Sequence, residues 1–105
     1  MKTLYISVNV PSTHADVVRK ALGDAGAGKV GNYSHTSFTV KGMGRSIALK
    51  GANPHTGEVD VYTPMEEEKI ETTCDEQDLE KIVTAVKKVH PYEEPIIIVY
   101  SIELL

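Results

Sequence analysis

The sequence predicts an α+β fold in the order βαββαβ, and two observations carry this prediction. Four segments rich in β-branched residues alternate apolar with polar side chains or run apolar, which is typical of strands. Two other segments carry apolar residues at helical spacing, and they follow the first and third strands. A chain of 105 residues with 41% apolar and 25% charged side chains can bury one core. We therefore expect a single domain over residues 1–105.

The first half of the chain predicts a strand, a helix and a second strand. Residues 2–10 alternate, and the buried face of this first strand is expected to be Leu4, Ile6, Val8 and Val10. A helix follows Pro11, and its apolar stripe is Val17, Val18, Ala21, Leu22 and Ala25. Gly26 stands where a left-handed residue commonly ends a helix. Ser34 to Lys41 alternates again and predicts the second strand.

The second half begins with a segment that differs from the rest in composition. Residues 42–64 are rich in glycine and proline, so they predict a long loop, and such loops in compact domains often bind ligands or partners. Glu68 to Thr73 predicts the third strand. Asp75 precedes the second helix, whose apolar residues are Leu79, Ile82, Val83, Val86 and Val89. Pro91 ends that helix, and Ile96 to Leu105 predicts the last strand.

This order of elements is that of the ferredoxin-like fold, in which right-handed crossovers place both helices on one face of an antiparallel sheet. The last strand is apolar on both faces: one carries Ile96, Ile98, Tyr100 and Ile102, and the other carries Ile97 and Val99. A strand with two apolar faces is expected to be covered on both. We therefore predict that a second subunit covers the face without helices. The alternative is a small exposed apolar patch of the kind that monomers tolerate.

Composition argues against nucleic acid as a partner, against a membrane span and against an oxidising compartment. The formal net charge is −4 and the basic residues are scattered, which argues against binding to nucleic acid. No apolar run has the length of a membrane span or a signal peptide. The one cysteine, Cys74, cannot form an intrachain disulfide, so nothing indicates an oxidising compartment. We expect a soluble cytoplasmic protein.

Gly26 to Gly31 matches the G-x-G-x-x-G pattern of dinucleotide sites, but its context differs from theirs. In such sites the motif follows a strand and opens a helix, whose amides then hold the pyrophosphate. Here it follows a helix and leads into a strand. We interpret it as a helix end and a tight turn, and we predict no cofactor.

Two segments supply candidate ligand-binding residues. Beside and within the Gly-rich segment, a set of polar side chains can close on a small anionic ligand, with help from glycine amides: Lys41, Arg45, Lys50, Asn53 and His55. A mobile loop without a ligand is the alternative. His90-Pro91-Tyr92-Glu93-Glu94-Pro95, before the last strand, concentrates polar groups between prolines.

The second of these segments also offers metal ligands. His90 and Glu93, with His35 or Cys74, are the residue types that bind transition metals. Two nearby ligands do not complete a metal site, so a rigid turn is the alternative. No set of acid, base and nucleophile can be assembled from the sequence, and we predict that the chain is not an enzyme.

Three stretches together resemble a known family: residues 25–34, Gly51-Ala52-Asn53-Pro54 with Gly57-Glu58, and residues 90–95. Their order and spacing are similar to those of the insert domain of Nif-three-like proteins, which are often labelled as dinuclear metal centre proteins. The HPYE segment also resembles that of the CutA divalent-cation tolerance proteins. The resemblance implies a PII/CutA-like fold, which is usually trimeric, and implies that the connection between the second and third strands corresponds to the ligand and partner loop of PII proteins. The family's metal ligands lie in flanking domains and have no counterparts here.

The sequence thus predicts a stand-alone, cytoplasmic PII/CutA-like module that forms homo-oligomers, a trimer by the resemblance, and has no catalysis of its own. It is expected to bind a small, anionic ligand or a partner protein. The candidate residues are Lys41, Arg45, Asn53, His55, His90, Tyr92 and Glu93. A CutA-like protein that binds divalent metal through His35, His90 and Glu93 is the alternative.

Overall fold

The structure is a computed structural model that describes residues 2–105. In chain order its elements are β1 (Thr3–Pro11), α1 (Ala15–Asp24), β2 (Phe38–Ile47), β3 (Tyr62–Asp75), α2 (Leu79–Val89) and β4 (Ile97–Ile102). A 3-10 turn precedes each helix, at Ser12–His14 and at Glu76–Asp78. The four strands form one antiparallel sheet in the order β2-β3-β1-β4. The predicted ferredoxin-like fold is confirmed.

The core lies between the two helices and one face of the sheet. The face of β1 predicted to be buried is buried, with Leu4 at 5% exposure and Ile6, Val8 and Val10 at 0%. Residues from the other elements complete this core: Val18 and Leu22 from α1, Ile70 from β3, and Ile82 and Val86 from α2. The period-two pattern of β1 therefore identified the inner face of the sheet. Within residues 2–105, no helix combines the length and the apolar character that a membrane span requires.

The predicted long loop over residues 42–64 is wrong in its bounds. β2 continues to Ile47 and β3 begins at Tyr62, so only residues 48–61 connect them. Antiparallel pairing runs without interruption from Phe38 opposite Glu71 to Ile47 opposite Tyr62. Glycine lowers strand propensity, but it leaves the backbone donors and acceptors of the ladder intact, so the hairpin forms through them. β2 thus begins and ends later than the predicted strand at residues 34–41, and β3 extends beyond residues 68–73 at both ends. β4 is shorter than the predicted strand at residues 96–105.

The glycines after α1 have a structural role, as the turn interpretation predicted. Gly26 and Gly28 have φ values of +114° and +78°, which favour glycine. The Gly28 amide donates to the Thr73 carbonyl at 2.7 Å, and the Thr36 amide donates to the Gly28 carbonyl at 3.0 Å. A Cβ at Gly28 would collide with the Thr36 backbone. The motif thus allows two backbone segments to lie in close contact.

Candidate functional site

The β2–β3 hairpin projects beyond the rest of the sheet, and its loop folds back to its base. β1 ends at Pro11, opposite Glu67, whereas the hairpin continues to its loop at residues 48–61. The Asn53 amide in that loop donates to Glu93 Oε1 at 2.6 Å. We name the residues that meet here the hairpin-base cluster: His14, Asn53, His55, Glu67, His90, Tyr92 and Glu93. It contains five of the seven predicted ligand-binding residues.

His90 anchors the cluster to the core. It is 7% exposed, and its Nε2 donates to the Asn9 carbonyl at 2.7 Å. Its Nδ1 accepts from the Tyr92 amide at 3.2 Å, so both ring nitrogens are used and the neutral tautomer is defined. Burial lowers the pKa of His90 below its ordinary value. This imidazole therefore joins the end of α2 to β1 as a neutral group at pH 7.

Tyr92 and Glu67 connect the α2–β4 loop with the hairpin. The Tyr92 hydroxyl donates to Glu67 Oε2 at 2.6 Å. Burial, and secondly this hydrogen bond, raises the pKa of Tyr92 above its ordinary value. The Glu67 carboxylate occupies space that a side chain at position 44 would need, because a Cβ on Gly44 would collide with it. Gly44 on the edge strand β2 thus leaves room for Glu67, which accepts the hydrogen bond from Tyr92.

His14 and His55 form an aromatic pair across the cluster. Their ring centroids are 5.4 Å apart and their planes are perpendicular. His55 also lies 6.1 Å from the Tyr92 ring, and His14 Nδ1 is 2.8 Å from Thr13 Oγ1. Sequence spacing does not reveal this pair, since only the fold brings the β1–α1 turn to the hairpin loop.

The acidic run Glu66-Glu67-Glu68 resembles a solvated surface patch in the sequence, but Glu67 and Glu68 both accept hydrogen bonds from side chains of the fold. Glu68 is 7% exposed and accepts from Arg19 Nη1 at 2.9 Å. Glu67 belongs to the hairpin-base cluster and was missed as a candidate, as was His14. One feature of the sequence indicated that Glu68 is buried: it is two residues from Ile70 and therefore lies on the same, inner face of β3.

Lys41 and Arg45 are not in the hairpin-base cluster. Both lie on β2, where Lys41 is opposite Glu68 and Arg45 is opposite Pro64. Lys41 lines a shallow groove of about 240 Å³ that also includes Gly42, Gly44 and Lys69. Lys41 and Arg45 of the predicted anion site thus lie on β2, whereas Asn53 and His55 lie in the loop that folds back to the hairpin base.

The three residues of the metal alternative are also separated. His35 Nε2 is 2.9 Å from Asp24 Oδ1 at the end of α1, whereas His90 bonds to Asn9 near the far end of β1. Glu93 accepts from the Asn53 amide. Among the described residues, no three His, Cys, Asp or Glu side chains are grouped to hold a metal ion. Cys74 is buried, and this burial raises the pKa of its thiol.

The face of the sheet without helices, here called the open face, carries exposed apolar side chains. Phe38 and Val40 on β2 are 67% and 47% exposed, and Ile98 and Tyr100 on β4 are 46% and 54% exposed. On the opposite side of β4, Ile97 and Val99 pack against the core, so the prediction of two apolar faces is confirmed.

The open face is also internally ordered. The rings of Tyr5 and Tyr100 stack with centroids 4.6 Å apart, and the Tyr5 hydroxyl donates to Glu71 Oε1 at 2.6 Å. Burial, and secondly the bond to Glu71, raises the pKa of Tyr5 to about 12. The aromatic side chains are thus held in place before any partner binds.

Comparison with known proteins identifies relatives of this chain. No family model matches the chain. Two curated proteins named GTP cyclohydrolase 1 type 2 homolog are similar to it. The one from Halalkalibacterium halodurans is 48% identical over 95 residues, covering 90% of this chain and 26% of that protein. The one from Bacillus subtilis is 39% identical over 98 residues, covering 93% and 26%. The chain thus spans about a quarter of the length of these relatives.

Solved structures give the same result for the fold. A Bacillus cereus protein related to NIF3 has a TM-score of 0.85 and 39% identity, over 98% of this chain and 26% of that one. The divalent cation tolerance protein Cut A1 from Thermus thermophilus has a TM-score of 0.66 and 20% identity, over 95% and 84%. The B. subtilis GlnK–ATP complex has a TM-score of 0.64 and 13% identity, over 96% and 82%. The predicted resemblance to Nif-three-like proteins is therefore confirmed in sequence and in fold, and the PII/CutA-like resemblance is confirmed in fold.

Proposed function

We propose that this chain is a self-associating, cytoplasmic binding module of the PII/CutA-like type that has no catalysis of its own. The observation that carries the proposal is the open face. Its four apolar side chains are 46–67% exposed, although they belong to the same sheet that buries the core. A second copy that covers this face would remove them from water.

The amount of exposed surface supports association. At about half exposure, four side chains of this size present roughly 400 Å² of apolar area. A standard interface buries about 800 Å² per partner, so the open face supplies about half of one and its rim supplies the rest. Because Tyr5 and Tyr100 are already stacked, little side-chain entropy is lost on binding. The trimer implied by the resemblance is the assembly that we propose.

The hairpin is the part of the molecule that we assign to a partner protein. Its exposed apolar side chains include Met43 at 52%, Ile47 at 49%, Leu49 at 69% and Tyr62 at 61% exposure. These residues suit a protein surface better than a small anion, for which the basic residues are too dispersed. In the hairpin-base cluster, His90 is hydrogen-bonded to Asn9 and Tyr92 to Glu67. Because these bonds join segments of the fold, we assign the two side chains to holding the hairpin in place and not to catalysis.

The test is a measurement of mass against concentration. We expect the wild-type protein to show an average mass above that of the monomer in sedimentation equilibrium between about 10 and 500 µM, the range in which modest interfaces associate. Tyr100→Glu adds a charge to the open face and should give a folded monomer, checked by circular dichroism. Val17→Glu is the matched control, because Val17 is 43% exposed but lies on α1. A wild-type monomer at all concentrations, or equal effects of the two variants, would overturn the proposal.

A further inference from the structure

The exposed apolar side chains of the open face lie along its two edges. We name them the β2 strip (Phe38 and Val40) and the β4 strip (Ile98 and Tyr100), and the strands β3 and β1 lie between them. Neighbouring strands are about 4.8 Å apart, so roughly 14 Å separates the two strips. One chain therefore cannot bring its own strips together, and both remain in contact with water in a single copy.

The centre of the open face, between the strips, is polar. Lys69 and Glu71 of β3 form an ion pair at 3.6 Å, and Glu71 also accepts the Tyr5 hydroxyl. In the register of the sheet, Lys69 lies opposite Asn9 on β1 and opposite Val40 on β2. A second sheet stacked squarely on this face would take both charges out of water, which carries a large desolvation cost. The polar centre thus favours association through the edges, where the charges stay hydrated.

A groove of about 240 Å³ continues the β2 strip, and it is open because position 42 has no side chain. The residues that line it from the open face are Asn9, Val40, Gly42, Gly44, Glu67 and Lys69. A Cβ at Gly42 would meet nothing within 4 Å. A cavity of about 150 Å³ holds a molecule of benzene, so this groove has room for one or two aliphatic side chains.

Nothing in the described chain, residues 2–105, requires glycine at position 42. Five of the eight glycines have positive φ, and a Cβ on Gly23 or Gly44 would strike a neighbouring side chain. Gly42 has neither property, and it stands in a strand that a β-branched residue would favour. Glycine within a strand commonly marks the close approach of a ligand or another chain. A side chain that enters the groove from outside would account for this glycine.

We propose that the β4 strip of one copy docks in the groove at Gly42, beside the β2 strip of the next copy. The strip and the groove are different surfaces, so each copy offers both halves of a head-to-tail contact, and a closed ring requires such a pair. The charged centre of each open face then lies toward the axis of the ring, where water can reach it. The inference rests on the proposed self-association and adds the surfaces through which it occurs.

The test compares variants by sedimentation equilibrium, at the concentration where half of the wild-type protein is assembled. Gly42→Ile fills the groove with a β-branched side chain, so the fold should be kept and the association constant should fall on the order of tenfold or more. Ile98→Asp should have the same effect from the other side of the contact. Ser46→Ile is the matched control and should assemble as wild type, since Ser46 lies on the same face of β2 but outside the groove. Circular dichroism checks the fold of each variant.

A mixture of the two defective variants tests which surfaces meet. Gly42→Ile keeps an intact β4 strip and Ile98→Asp keeps an open groove, so an equimolar mixture should form a dimer, whereas neither variant alone should. Wild-type assembly by Gly42→Ile, or a mixture that stays monomeric, would overturn the inference and leave the groove to a different molecule. If the wild-type protein still assembled, the proposed function would stand, because another surface would then join the copies. A wild-type protein that stays monomeric would contradict the proposed function and the inference together.

Discussion

Replacing Gly28 by alanine is expected to destabilise the fold far more than the same change at Gly31, three residues later. Both glycines have positive φ, +78° and +55°. A Cβ at Gly28 would collide with the backbone of Thr36, whereas a Cβ at Gly31 would meet nothing within 4 Å. The pair therefore separates the cost of left-handed backbone from the cost of a collision.

The magnitudes follow from the contacts. A non-glycine residue in left-handed conformation costs about 1–2 kcal/mol, and the lower entropy of the unfolded alanine chain offsets about 0.4–1 kcal/mol of this. We therefore expect Gly31→Ala to cost about 1 kcal/mol. Gly28→Ala must also displace Thr36, whose amide donates to Gly28 and whose carbonyl accepts from Thr72 Oγ1 at 2.6 Å. Losing two or three such hydrogen bonds adds roughly 3 kcal/mol, for a total of about 4 kcal/mol.

The assay is urea and thermal unfolding followed by circular dichroism at pH 7.5. For a domain of this size, 4 kcal/mol corresponds to a fall in Tm of about 20 °C, and 1 kcal/mol to about 5 °C. Equal losses for Gly28→Ala and Gly31→Ala would refute the reasoning, since they would show that close backbone contact at Gly28 contributes nothing.

Three further predictions concern buried polar groups. Because burial lowers the pKa of His90, the unfolded chain takes up a proton first as the pH falls below about 6.5, and native stability decreases; urea midpoints at pH 7.5 and 5.5 should differ less in His90→Gln than in wild type. Arg19→Met should cost about 2 kcal/mol in urea unfolding, since it leaves buried Glu68 without its cation, whereas Asp16→Ala should change stability little because the Asp16 side chain is 99% exposed. The Cys74 thiol should react with a disulfide reagent only as fast as the protein opens, because burial raises its pKa, and rapid reaction of the native protein would contradict its burial.

The sequence by itself determined the order of elements and the inner face of the sheet. Alternation in β1 and helical spacing in α2 are local patterns, and each depends on burial of one side of one element, so Ile6 and Ile82 were identified as core residues. The resemblance was equally accessible, because it rests on contiguous stretches of residues. Val17 marks the limit of such patterns, since it fits the apolar stripe of α1 but is 43% exposed.

Only the tertiary structure decided the extent of the hairpin and the composition of the hairpin-base cluster. The ladder between β2 and β3 depends on backbone pairing between distant segments, which glycine permits although local propensity disfavours it. His14, His55 and Tyr92 meet because the loop after β2 folds back onto the turn after β1 and the loop after α2, and no spacing in the sequence encodes that approach. The same folding placed His35 beside Asp24 at the end of α1 and His90 beside Asn9 on β1. Residues that share one segment can be grouped from sequence, whereas residues that share a site through long-range packing can be grouped only from the fold.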